Sequence, residues 1–410
     1  MISTTFDSPA NWETFNNYEK QKLEINRVFH YMNKLFAALV IILTTVLFSQ
    51  VFLVSAVEFG GYWVSKTSKP TPGLFDGGCV TASNGMIYTI SGDGTNEMYD
   101  PITDTWTTKT SMPTSRWAFG ITSYQNKIYV IGGCSRNYEG VLKDALGVNE
   151  VYDIVTDTWE TKTPMPTHRG GLCTEVVAGK IYAIGGFEPI DNWFNFDWED
   201  LPPTNEVYDI ATDTWSSKTP FYRDLLGSVV IDNKIYVITH MYSLAIYDTK
   251  TDIWSLGDTI PFYVRSMVGA TTGELAPKRL YVIGGYYNLI DDGQADFNIQ
   301  VYDPESDIWT TEASMLTDRY STMITVVDDY LYVIGGVDTS SDRNPVNTVE
   351  MYVPSGHKNA DQYPNSVPIT NAVLIVAVAV VITIGAAIAI ALFFYTKNLS
   401  SITEPPKQNC

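Results

Sequence analysis

NEVYDIVTDTW, residues 149–159, returns as NEVYDIATDTW at 205–215, with only Val155 exchanged for Ala211. Looser copies follow the same line: NEMYDPITDTW (96–106), LAIYDTKTDIW (244–254) and IQVYDPESDIW (299–309). In all five, Tyr and Trp stand seven apart: Tyr99 and Trp106, Tyr152 and Trp159, Tyr208 and Trp215, Tyr247 and Trp254, Tyr302 and Trp309. A second phrase precedes each copy: NGMIYTISG, NKIYVIGG, GKIYAIGG, NKIYVITH and KRLYVIGG, with a sixth, YLYVIGG, at 330–336. Repetition at this period is the mark of a repeat architecture.

Each unit reads as four strands, A to D. Strand A is short and rich in small residues, as in AFGITSY (118–124). Strand B, of the IYVIGG type, is a near-continuous apolar run suited to burial on both faces. Strand C carries the E-V-Y, and D begins at the Trp. The D-x-x-T-D between them suits a tight turn. Tyr and Trp then flank a hairpin and can pair across it.

Double glycines end strand B at Gly132-Gly133, Gly185-Gly186, Gly284-Gly285 and Gly335-Gly336, with Tyr and Trp following at fixed spacing. This pattern resembles the kelch repeat over residues 63–354. The resemblance implies that each unit is one four-stranded blade of a β-propeller. Two units depart, with Ser91-Gly92 and Thr239-His240 in place of Gly-Gly. The expected fold class is therefore all-β: a six-bladed kelch-type β-propeller.

The sixth unit lacks its D strand, because Asn359 falls where a Trp should stand. The missing piece lies at the other end: WVSKTSKPTPG from Trp63 aligns position for position with WTTKTSMPTSR from Trp106. An N-terminal strand starting at Trp63 should close the ring, which removes an exposed sheet edge. Alternating strand directions put A–B and C–D turns on one face, and B–C loops and D–A connections on the other. The propeller's two chain ends then share the C–D face.

Four cysteines (Cys79, Cys134, Cys173, Cys410) show no metal-ligand spacing, and four scattered histidines offer no metal or catalytic cluster. No cofactor is expected. The formal charge of −20 argues against nucleic acid, whose phosphates call for Lys and Arg. Residues 58–371 hold 20 basic and 41 acidic residues, so the acidity lies there.

Two runs do not fit a soluble domain. Leu35–Val57 and Ala372–Tyr395 are uncharged and mostly apolar over 23 and 24 residues; about 20 suffice to span a bilayer core. The expected organisation has 1–34 as a cytoplasmic segment, or a stretch ahead of the true start. Residues 35–57 form a signal peptide or signal anchor, and 58–357 the propeller. Residues 358–371 are a linker, 372–395 a membrane helix and 396–410 a cytoplasmic tail. Lys20, Lys22, Arg27 and Lys34 ahead of the first run, and Lys397 after the second, place the propeller outside the cell.

Ligand-binding candidates lie on the face turned from the membrane. The D–A connections carry Arg116, Arg169, Arg265 and Arg319, with Arg223 displaced but comparable. Each either bonds scaffold groups or forks onto an anion. Some kelch domains use the corresponding Arg to hold acidic peptides. The insertion after Gly186 offers Trp193 and Trp198, suited to stacking on a sugar or anchoring a partner. No catalytic motif is present. The expected function is a membrane-anchored extracellular module that binds a protein or glycan. The alternatives are a sugar-modifying enzyme resembling the sialic-acid mutarotases of the family, or a structural cell-envelope component.

Overall fold

The structure is a computed structural model that describes residues 61–360 apart from 73–76, 138–140, 189–202, 222–224, 240–242, 262–267, 285–298 and 340–343, with short helical stretches between 16 and 34. The chain divides into two units, Met1–Phe59 and Gly60–Cys410. Both apolar runs lie outside the described residues. Among the described residues, no helix is long and apolar enough to cross a membrane.

Six four-stranded antiparallel sheets build the second unit. The A strands are Gly78–Thr81, Gly120–Tyr124, Cys173–Val177, Leu225–Ile231, Val268–Thr271 and Met323–Val327, in blades 1 to 6. Each touches the A strands of both neighbouring blades, and blade 6 meets blade 1, so the inner strands form a closed ring. The B strands behind them, such as Lys127–Ile131 and Lys180–Ile184, are buried almost end to end.

The core is not one mass. Six clusters of eight to ten buried hydrophobic side chains each fill one seam between blades. Ile90, Val130 and Tyr152, for example, join blades 1 and 2. Burying one such side chain is worth about 1.5–3 kcal/mol, so the seams outweigh single hydrogen bonds of about 1 kcal/mol.

Blade 6 takes its D strand from the start of the propeller. Tyr62–Lys66 pairs antiparallel with Val349–Val353, placing Trp63 opposite Tyr352. The end of the propeller returns to the same blade. Tyr62 Oη donates to Ala360 O at 2.5 Å, and His357 stacks on Tyr330 with 4.1 Å between ring centroids. The packed chain thus runs on through Lys358–Ala360.

The repeated phrase is a clasp. Asp153 Oδ1 accepts the Val155 and Thr156 amides, which turns the chain between C and D. Asp157 follows at φ 55°, a left-handed conformation that Asp tolerates better than bulkier residues. Its carboxylate accepts Tyr152 Oη at 2.6 Å and the Thr110 amide of blade 1 at 2.9 Å. Trp159 packs on Tyr152 across the hairpin, 5.2 Å between centroids, and donates from Nε1 to Thr110 O at 2.9 Å.

The tryptophans differ in two ways from the sequence expectation. They do not begin the D strands. Each strand starts one residue earlier, with Thr105 ahead of Trp106, Thr158 ahead of Trp159, Thr214 ahead of Trp215, Ile253 ahead of Trp254 and Ile308 ahead of Trp309. The reason is the ladder, since the aspartate that ends strand C pairs with that earlier residue, as Asp209 does with Thr214.

Nor does the hairpin partner exhaust the role of the indole. Trp215 packs on Tyr208 with 5.2 Å between centroids, Trp254 on Tyr247 with 4.8 Å and Trp309 on Tyr302 with 5.1 Å. But Trp215 Nε1 also donates to Thr163 O, Trp254 Nε1 to Thr219 O, both at 2.9 Å, and Trp309 Nε1 to Asp258 O at 3.3 Å. Every acceptor lies just beyond the preceding blade's D strand. The rings therefore sit at the blade edge, where Trp106, Trp159, Trp215 and Trp254 keep part of their surface in solvent and Trp309 is buried. Each hairpin fastens its blade to the one before it.

The clasp makes stability pH-dependent. The hydrogen bond from Tyr208, with the Thr163 amide, holds the Asp213 carboxyl below its ordinary value. A depressed folded-state value stabilises above the ordinary Asp range near 3.9, and that contribution is lost as pH falls through and below it. Asp213→Asn is expected to cost about 1–2 kcal/mol at neutral pH and clearly less at pH 2. Thermal melting at both pH values checks this; an equal loss at both would refute it.

Candidate functional site

The sequence pattern sets Arg116, Arg169 and Arg319 at the channel mouth as candidate ligand contacts; the structure places their side chains in the interior. Arg116 and Arg319 are 0% exposed and Arg169 2%. Arg116 donates from Nε to Gly132 O at 2.9 Å, from Nη2 to Val130 O at 2.8 Å and from Nη1 to Thr114 O at 2.9 Å, and its Nη1 is ion-paired with Glu150. Arg169 repeats the pattern on Gly185, Ala183, Thr167 and Glu206. Arg319 is bonded to Val333 O and paired with Glu350 at 3.0 Å. Burial pulls all three guanidinium groups below their ordinary values, although the facing glutamates oppose it. In Arg116 and Arg169 the fork's donors are spent on the blade's own carbonyls and carboxylate, and Arg319, held against Glu350, is closed off from any ligand by its burial. Arg116, Arg169 and Arg319 thus serve as scaffold and present no open anion site.

The glycine pairs serve the same arrangement. Gly133 sits at φ 104°, and a Cβ there would meet Trp117 O at 2.9 Å. Its amide donates to Arg169 O of the next blade at 3.0 Å. Gly186 and Gly336 repeat this conformation at φ 97° and 100°. Gly284 is described; Gly285 lies outside the described residues.

Blade 1 solves the same problem with another residue. In WVSKTSKPTPG, Lys69 stands where the second unit has Met112, and Gly73 where it has Arg116. Lys69 is 0% exposed and its Nζ lies 2.5 Å from Glu97 Oε2, with Thr71 Oγ1 donating to Glu97 Oε1 at 2.9 Å as Thr114 does to Glu150 at 2.7 Å. Both differences show in the alignment of the two stretches, but only packing shows that they compensate. In blades 4 and 5 the glutamate position holds Ala245 and Gln300, both buried. Their connections carry Arg223 and Arg265, which lie outside the described residues.

With these arginines internal, the variable part of the face is its B–C insertions. After Gly133 the chain forms an extra hairpin, Cys134–Arg136 with Leu142–Ala145. The Arg136 guanidinium lies 4.8 Å from the Trp117 ring centre, and Val141 is 46% exposed. In blade 6, Val337–Asp338 pairs with Arg319–Tyr320. Trp193 and Trp198, in the blade 3 insertion, lie outside the described residues. Among the described residues, no group of His, Cys, Asp and Glu could hold a metal ion.

The family model described as Kelch motif matches residues 118–166, 168–221, 277–316 and 319–358. Kelch-like protein 35 of Mus musculus is 26% identical over 254 residues, which is 59% of this chain and 38% of that protein. Kelch-like protein 40 of Xenopus laevis is 32% identical over 150 residues, covering 35% and 23%. Kelch-like protein terF of Aspergillus terreus is 25% identical over 264 residues, covering 61% and 56%. The chain thus spans well under two thirds of each of these relatives. A solved structure, "Structure of YjhT", superposes with a TM-score of 0.57 at 16% identity, over 70% of this chain and 96% of that one. That likeness shows the fold alone.

Proposed function

For a chain that carries kelch repeats and closes them into a six-bladed propeller, we propose a recognition role: a membrane-anchored, extracellular module that binds a protein or glycan partner through its B–C insertions. A kelch propeller suggests a protein-binding module, and relatives named Kelch-like proteins agree with that. The observation that carries the reading is the division of labour on one face. The described D–A arginines are buried in the scaffold, whereas the insertions differ from blade to blade and include an added hairpin on which Val141 is exposed. In repeat proteins, insertions on one face are often the binding surface.

Anchoring draws its support from the two apolar runs and from where the propeller begins and ends. Tyr62 and Ala360 are in direct contact, so both tethers leave from one blade. Protease added to intact cells should cut residues 58–371; complete protection would refute the external placement.

Binding is tested with the purified chain on a glycan array and in pull-down from cell-surface extract. Trp193→Ala with Trp198→Ala is expected to weaken a captured partner or glycan at least tenfold, since aromatic anchors are typical hot spots of 2 kcal/mol or more, about thirtyfold. Undiminished binding by the double variant, with its melting temperature unchanged, would exclude these residues as anchors.

A further inference from the structure

The C–D turns of blades 1 to 5 are built alike. The amides of Ile102, Val155, Ala211, Lys250 and Glu305 each donate to the aspartate two residues earlier, at 2.9–3.1 Å. All five side chains point into solvent. The turn is set by backbone and aspartate, so the scaffold asks nothing of the side chain at this position. Yet blades 1 and 2 place Ile102 and Val155 there, 90% and 72% exposed, where blades 4 and 5 place Lys and Glu. A single exposed apolar side chain is ordinary on a protein surface. Two at matching tips of adjacent blades set one side of the face apart.

The inner turns of this face divide in the same way. The A–B turns of blades 1 to 3, residues 82–86, 125–126 and 178–179, carry no charge. Those of blades 4 to 6 expose Asp232, Glu274 and Asp328. The face is also where the chain enters. Tyr62 begins the D strand of blade 6, so the sixfold repeat sets the C–D turns at its height along the ring axis. The uncharged run 35–57 ends five residues before Tyr62, a reach of at most about 18 Å.

We propose that Ile102 and Val155 dip into the lipid surface of the membrane that anchors the chain, so that the propeller leans on blades 1 and 2 and keeps the charged side, blades 4 to 6, in water. This rests on the anchored reading given above. A short tether holds the entry point near the bilayer, and the tips at the same height then meet the boundary between headgroups and acyl chains. Apolar side chains gain by leaving water there, whereas Lys250, Glu305 and the acidic inner turns would lose their solvation.

The full chain carrying Ile102→Cys, Val155→Cys, Lys250→Cys or Glu305→Cys is labelled with an environment-sensitive fluorophore and reconstituted in vesicles of phosphatidylcholine and phosphatidylglycerol. Wild type labelled in the same way gives the background of the native cysteines. Lipids carrying a shallow nitroxide quencher are expected to quench labels at 102 and 155 at least about twofold more than labels at 250 and 305. Equal quenching at all four, in a chain that floats with the vesicles, overturns the docking and leaves the anchor standing. Labels at 102 and 155 that are shielded from aqueous iodide but not quenched by lipid mean a protein covers the tips, which also overturns it. A chain that does not float with the vesicles overturns anchor and docking together.

Discussion

Deleting Tyr62–Lys66 is expected to abolish the cooperative melting of the whole propeller, not only to loosen blade 6. The strand supplies the outer ladder of Val349–Val353, and Val64 inserts into the seam between blades 6 and 1. Its neighbours depend on it as well. Trp63 Nε1 donates to Ala313 O of blade 5 at 3.1 Å. The Thr67 amide donates to Asp104 at 2.9 Å, and Trp106 Nε1 to Thr67 O at 2.9 Å, both in blade 1. One segment thus ties three consecutive blades, and its removal bares a five-residue strand edge prone to intermolecular pairing. Val64→Asp should act in the same direction by at least about 3 kcal/mol, because it buries an unpaired charge. Calorimetry and light scattering decide the matter. A deletion variant that stays monomeric and melts within a few degrees of the intact chain would mean the ring closes some other way.

The second large effect concerns the buried pair of blade 1. Lys69→Met leaves Glu97, 2% exposed, without its cation. Breaking a buried ion pair from one side costs about 3–5 kcal/mol, which for a domain of this size lowers the melting temperature by roughly 10 °C. Lys69→Met with Glu97→Leu removes both charges and should recover most of the loss, since an apolar replacement of a buried pair is often near neutral. Lys69→Met with Gly73→Arg, which restores the residues that WTTKTSMPTSR carries at the aligned positions, should also recover stability. If neither double variant melts above the single one, the pair is not what holds this corner.

The difference between these two features explains how far the sequence can be read. Strands, hairpins and blade number follow from short-range patterns: apolar runs for the B strands, seven residues from Tyr to Trp, and paired glycines. Closure is legible too, because Trp63 and Trp106 begin parallel phrases. The tryptophans are legible as hairpin partners, but not as donors to the blade before. The acceptor of Trp215, Thr163, lies 52 residues upstream. The candidate site is legible only in outline. Arg116 and Arg169 stand out as recurrent, yet their direction is not written locally. Each meets a glutamate 34 or 37 residues away only after the blade has folded.

By itself, the sequence determined the blade, its sixfold repetition and the strand that closes the ring, since these rest on local period and on alignment of the chain with itself. Only the tertiary structure decided that Arg116, Arg169 and Arg319 face inward and that Lys69 stands in for one of them. Burial and pairing depend on which distant groups packing brings together, and a hydrogen-bond donor has no assigned role until its partners are in place.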